Sequence, residues 1–583
     1  MRTSNNWLLG GSLVVLTGLS WVPPQADGYA LEVHKDFFDL AFGLPAPGQR
    51  AIATYADAGR AVTPPSAEGL VAFRRLFWER ASGRKPGFKT RWPSFESFDA
   101  AAFKEFLALN PGKSVVAIDH VPASRTTDVR TVVREGSVDP DNDYRNQDRL
   151  FLQGGEVVLD AFGRAVPYDP RTTWFGGLTG TPSQFDAHGA TLRSGEKGSG
   201  IMTAIRHPEQ FARPAVVLGS APEFSENYTE LAMIAKLSGG EGSEWLALTF
   251  GGNNLHGIED LGNQIHTTVL GIPEFFVDAK YTYYKMRLKR MFKKKRDLAA
   301  EGFVAPSNLT TDQVNQAMRL IKDGKLDQVD PQVRFALGQE PNDLPSDTDI
   351  GIRIIGNHHR LLEDFTQKQY LRSRDLIQAG QPDQALPEVT ALIQTARRGD
   401  PAFERKCREA LRAAGLGTNQ KGTTPYARAI AELMIEASAP EAAPIYRATR
   451  KISKKSLQRE ETYNEDLGHE VLDFVQTSSM EDEHVRKIWE LQGNAWARVV
   501  TAVRLWDETF QEETGGVKPG SPEALARIDG IVDNLVERQM QYLADAEQRR
   551  NDYLAERQAA FDAEQAEANN KGMLKRIRSW FGD

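Results

Sequence analysis

The chain is poor in cysteine: Cys407 is the only one in 583 residues, so no intrachain disulfide can form and stability must come from packing or from metal. In the helical stretch FERKCREALRAAG, a lone cysteine reads as a small buried hydrophobe rather than a nucleophile. No long apolar run is present either. The longest, Trp7 to Trp21, falls short of the roughly 20 residues a bilayer-spanning helix needs. No global excess of positive charge exists: the net charge is −8, which gives no general reason to expect nucleic-acid binding. No internal repeat of fixed period is visible, which argues against a solenoid.

Residues 1–30 carry Arg2, the apolar stretch and then PPQADGYA, the pattern of an export signal. Cleavage is expected after Ala30 or Ala26, placing the protein in the periplasm or outside the cell, with an uncleaved anchor helix as the alternative. A chain of this length predicts more than one domain. The expected division is a metal-binding domain over residues 31–380, with an insertion at about 280–350, and a helical domain over 381–583.

The apolar spacing in ALEVHKDFFDLAFGL, NYTELAMIAKLSG, SEWLALTFGGNNLHGIEDLGNQIHTTVLG and DIGIRIIGNHHRLLEDFTQKQYLRSRDLI predicts helices. Glycine, proline and aspartate are dense between about Val121 and Gly200, so long loops with a few short strands at most are expected there. Past about residue 380, Ala, Glu, Arg, Leu and Gln recur at helical spacing, and a long charged helix is expected from SPEALARIDGIVDNL to EQAEA. The fold class expected is mainly α.

The chemistry is concentrated in HGIEDLGNQIH. On one helix, His256 and Asp260 lie about 40° apart and can grip one ion, while His266 falls about 120° further round and suits a second ion beside it, with Asp260 able to bridge. Imidazole and carboxylate are the ligands zinc takes when thiolates are absent. The later run NHHRLLED repeats the one-turn spacing in His359 and Glu363. The segment DPDNDYRNQDRL sets Asp139, Asp141 and Asp143 at alternating positions, as at the start of a calcium loop. Tyr144 stands where that loop needs glycine and Leu150 where it needs glutamate, so only looser calcium binding stays open.

The run His, three residues, Asp, five residues, His, with His, three residues, Glu further on, resembles the metal-binding pattern of zinc-dependent phospholipases C and the related single-strand nucleases. The resemblance implies a helical domain holding two or three zinc ions. It places His256 and Asp260 at the first and His266, His359 and Glu363 at the second. It implies an upstream aspartate and histidine completing the first site, best matched by Asp141, with Asp139 as its rival, and His188. His34 fits a third ion held together with the mature N-terminus, although the family's N-terminal tryptophan is missing. The implied reaction is hydrolysis of a phosphodiester by zinc-activated water, with Asp141, or its rival Asp139, as the base.

KMRLKRMFKKKR and the terminal KGMLKRIRSWFGD mix cations with Met, Leu, Phe and Trp, a composition suited to anionic lipid, so phospholipid or a membrane surface is the expected partner. A solvated basic helix face is the alternative reading of each. Two further functions stay open: a single-strand nuclease, and a non-enzymatic relative resembling fungal heterokaryon-incompatibility proteins, with a protein partner bound through the C-terminal helices.

Overall fold

A computed structural model describes residues 31–43, 58–109, 114–125, 128–140, parts of 151–168, 221–264, single positions between 316 and 328, and 369–413, 425–459 and 483–581. Among these residues the fold is mainly α, as the periodicity predicts. The helices are α1 (Leu31–Phe42), α2 (Ala67–Arg84), α3 (Pro86–Arg91), α4 (Ala100–Phe106), α5 (Val129–Gly136), α6 (Ala221–Ser238), α7 (Ser243–Asp260), α8 (Pro387–Arg398), α9 (Pro401–Ala413), α10 (Pro425–Arg459), α11 (Glu483–Thr514) and α12 (Pro522–Phe581). Strands β1 (Leu152–Gln153) and β2 (Glu156–Val157) pair antiparallel, with Leu152 opposite Val157.

Helix α7 lies at the centre. Its residues from Trp245 to Ala247 and from Thr249 to Asp260 are all buried, so it is covered on every side rather than along one stripe. Helix α6 runs back along it. Helix α1 buries Val33, His34, Phe37, Phe38, Leu40 and Ala41, the i, i+1, i+4 spacing of an inward face. Helix α5 lies inside the stretch expected to be loop. Asp128 caps it by accepting from the Thr131 amide at 2.7 Å, and Val129, Val132 and Val133 form its buried side. The surrounding glycine, proline and aspartate mask this short periodicity in the sequence.

Buried residues on both sides of position 380 belong to one hydrophobic cluster. Helix α11 packs against α1, α6, α7, α8, α9 and α10. Its Trp496 meets Phe37 of α1 edge-on at 4.9 Å and Tyr370 at 4.8 Å, centroid to centroid. Arg504 of α11 donates to the Ala41 carbonyl at 2.6 Å, closing the C-terminal end of α1. Trp506 donates to Thr229 of α6 at 2.9 Å.

The long charged helix is present as α12, 60 residues and therefore about 90 Å long. Ala524, Ile528, Ile531, Val532, Leu535, Val536, Leu543 and Ala546 form its buried seam. Beyond Arg550 its described side chains are half-buried or exposed. Arg538, inside the packed part, donates to Asn227 at 3.1 Å and pairs with Glu226 and Glu230 of α6. Cys407 is buried on α9, and burial pushes its thiol up to about 12. No described helix is long and apolar enough to cross a membrane. Residues 1–30, expected to be an export signal, and the basic segment at 285–296 lie outside the described residues, and so do the side chains of 571–583.

Candidate metal centre

The centre forms where the first turn of α1 meets the last turn of α7. In α7, one-turn spacing brings His256 and Asp260 onto one face, and the His256 Nε2 lies 3.2 Å from Asp260 Oδ2. Helix α1 inserts His34 from the other side, its Nε2 3.5 Å from Asp260 Oδ1. The two imidazole rings stand 4.4 Å apart, centroid to centroid. All three side chains are fully buried, and their ligand atoms lie within 4.8 Å of one another.

The far side of each ring is tied back. His34 Nδ1 is 2.7 Å from Glu259 Oε2, and His256 Nδ1 is 2.8 Å from the Ser137 carbonyl. A backbone carbonyl only accepts, so His256 Nδ1 carries the proton and donates, and an ionised Glu259 would set His34 Nδ1 the same way. In the neutral rings this leaves the Nε2 lone pairs turned towards Asp260, an arrangement that a shared cation would suit. Two ligands each about 2.0–2.1 Å from one tetrahedral ion stand about 3.3 Å apart, close to the 3.2 and 3.5 Å between the imidazoles and the Asp260 oxygens they face. The donor set therefore fits zinc: His34, His256 and Asp260 would hold it, with Glu259 and Ser137 behind the histidines.

The approach of α5 to α7 decides where Ser137 sits. A methyl group on Gly252 would fall 2.6 Å from the Val133 carbonyl oxygen, and one on Gly136 would fall 2.9 Å from that of Thr249. The two glycines let the backbones touch. Asn253 locks the contact by donating to the Gly136 carbonyl at 2.8 Å, which places the next carbonyl, that of Ser137, on His256.

Of the ligands expected from the sequence, the structure brings together His34, His256 and Asp260. His188, Asp141, His266, His359 and Glu363 lie outside the described residues. Asp139, the rival of Asp141, is buried and gives both carboxylate oxygens to Arg125, one at 2.6 Å, so it serves as the counter-ion of that guanidinium. His34 faces the same carboxylate as His256, each ring towards a different Asp260 oxygen. The expectation that helix phase runs on from Asp260 to His266 does not hold. Helix α7 ends at Asp260, and residues 261–263 turn, with Gly262 and Asn263 closing short bonds to Glu259 and Asp260.

Set against known protein-family models, curated proteins and solved structures, the chain matches none.

Glu259 is the residue that the sequence reading passed over. It precedes Asp260 directly, and neighbouring helical positions diverge by about 100°, so spacing alone argued against both carboxylates serving one centre. They do so because His34 enters between them. A second polar anchor follows at Gln264, which donates to Glu441 of α10 at 3.1 Å and to the Leu491 carbonyl of α11 at 3.0 Å, while Gln492 donates back to it at 3.1 Å. Helices from the last third of the chain thus hold the segment that leaves the centre.

On α1, Asp36 points away from the cluster. Arg374 donates to it at 2.7 Å and Arg134 lies 3.5 Å away. Burial raises its carboxyl above the usual carboxylate range in spite of these cations. This network fastens the helix carrying His34 to α5 and to the helical residues 369–378.

Proposed function

We propose that the chain is a metal-dependent phosphoester hydrolase of phospholipase C type, working through zinc held at His34, His256 and Asp260. The observation that carries this reading is the pair of buried imidazoles, each tied back through Nδ1 and each turning Nε2 to one carboxylate. When bound, zinc supplies Lewis acidity towards a phosphoryl oxygen and a water nucleophile near neutral pH.

The chain's own groups do the positioning. Asp260 sets its two oxygens towards the His34 and His256 rings; His188 and Asp141 would add ligands to this site, and His266, His359 and Glu363 would hold a second ion. Asp141 is the proposed base that orients the attacking water and takes its proton. The water oxygen bonds to phosphorus, the ester P–O bond breaks, and the proton ends on the departing oxygen. A phospholipid would yield a diacylglycerol and a phosphorylated headgroup. The cation-rich, aromatic-containing segments at 285–296 and 571–583 favour lipid over nucleic acid.

A protonated pair of imidazoles facing two carboxylates would satisfy the same distances without an ion. Metal analysis of the purified protein, with hydrolysis of phospholipid vesicles and of single-stranded DNA measured with and without chelator, separates the readings. Bound zinc together with chelator-sensitive release of headgroup is expected. Cleavage of DNA alone would transfer the protein to the nuclease reading, and absence of zinc would remove the hydrolase reading altogether. Asp141→Asn should lose about 10²–10⁴ in rate; a variant that binds full zinc and keeps full activity would end its role as base.

A further inference from the structure

We infer that Glu259 is a positioning residue of the metal centre, acting on the ion through the His34 ring and supplying the second buried negative charge that suits the site to a divalent cation. The inference rests on the zinc reading above. Glu259 and Asp260 are consecutive, fully buried carboxylates at the end of α7, and His34 lies between them. Glu259 Oε2 accepts from Nδ1 at 2.7 Å on one side, and Nε2 faces Asp260 at 3.5 Å on the other. An imidazole tied in this way has one tautomer and one ring orientation, and the carboxylate behind it makes Nε2 a stronger donor to metal.

Charge leads to the same conclusion. Two neutral imidazoles with two ionised carboxylates give this group of four a charge of −2, and a divalent ion neutralises it. His256 is tied back by a neutral carbonyl instead, so the two histidines are not equivalent: the His34 side of the centre carries the additional charge.

The test uses the full chain, stripped with chelator and titrated with zinc against a competing indicator, and separately loaded with cobalt for its visible spectrum. Wild type is compared with Glu259→Gln, Glu259→Leu and His34→Ala, each checked for folding by circular dichroism. Glu259→Leu is expected to weaken zinc binding about 10- to 100-fold and to change the cobalt bands, since the ring loses its anchor. Glu259→Gln keeps an acceptor for Nδ1 and should preserve the bands while still binding zinc more weakly, because the charge is gone.

A folded Glu259→Gln protein with wild-type zinc affinity overturns the proposal, even if Glu259→Leu fails to fold. Loss of binding in His34→Ala alone would leave the centre standing and remove only Glu259. A wild-type protein that takes up neither zinc nor cobalt overturns both this inference and the reading beneath it.

Discussion

Gly252→Ala tests whether the close contact of α5 and α7 builds the centre. The new methyl group would lie 2.6 Å from the Val133 carbonyl oxygen and 2.9 Å from the Gly136 Cα, and neither belongs to a side chain that can rotate away. Restoring ordinary contact requires the helices to part by about 0.8 Å. The same movement would carry the Ser137 carbonyl from 2.8 Å to about 3.6 Å from His256 Nδ1, past the range of a hydrogen bond. Overpacking is worth about 1–3 kcal/mol. A buried N–H without its acceptor adds about 1–3 kcal/mol, and the better helix propensity of alanine returns about 1 kcal/mol. The net expectation is a destabilisation of about 1–5 kcal/mol.

Gly493→Ala on α11 is the matched control, because nothing lies within 4 Å of its added methyl. Only the helix gain applies there, about 1 kcal/mol in favour of folding. Urea unfolding followed by circular dichroism should place the midpoint of Gly252→Ala below wild type and that of Gly493→Ala at or above it. If Gly252→Ala unfolds no earlier than Gly493→Ala, the close-contact argument is wrong.

Alkaline pH should destabilise the protein. Burial raises the Tyr370 and Tyr426 hydroxyls well above 10 and the Cys407 thiol to about 12, so the folded chain keeps protons that the unfolded chain gives up near pH 10 and pH 9. Their stabilisation is complete below about pH 9 and is lost as pH rises through the folded values, at about 1.4 kcal/mol per pH unit for each group that ionises only when unfolded. Tyr426→Phe should flatten the unfolding-versus-pH slope above pH 10 at little cost, since no described residue hydrogen-bonds the Tyr426 hydroxyl; an unchanged slope would contradict the assignment. Arg125→Met removes the guanidinium paired with the buried Asp139 carboxylate and should cost about 3–5 kcal/mol in chemical denaturation, with much of the loss recovered when Asp139→Leu is added. Equal losses in the single and double variants would show that the ion pair is not what holds this site.

Part of the centre was legible because its geometry is local. His256 and Asp260 are one helical turn apart, and periodicity alone puts them together. His34 entered by resemblance, and its position facing Asp260 depends on how α1 packs. Glu259 was hidden by the same periodicity, which directs it away from Asp260 until a ring from another helix fills the gap. Ser137 contributes only its backbone carbonyl, a group every residue has, so no side-chain pattern could single it out. The phase carried from Asp260 to His266 failed because Gly262 and Asn263 favour a turn where the apolar spacing suggested continuation.

Helical class, the buried thiol, the 60-residue charged helix and the one-turn pair on α7 follow from the order of residues, since each rests on interactions within a few positions of the chain. The common core across residue 380, the capping of α1 by Arg504, the contact of Gly136 with Gly252 and the placing of His34 between two carboxylates were decided by tertiary packing. These features join groups from about 115 to more than 450 positions apart, and which surfaces meet over such separations depends on shape complementarity and burial throughout the core, which no local spacing encodes.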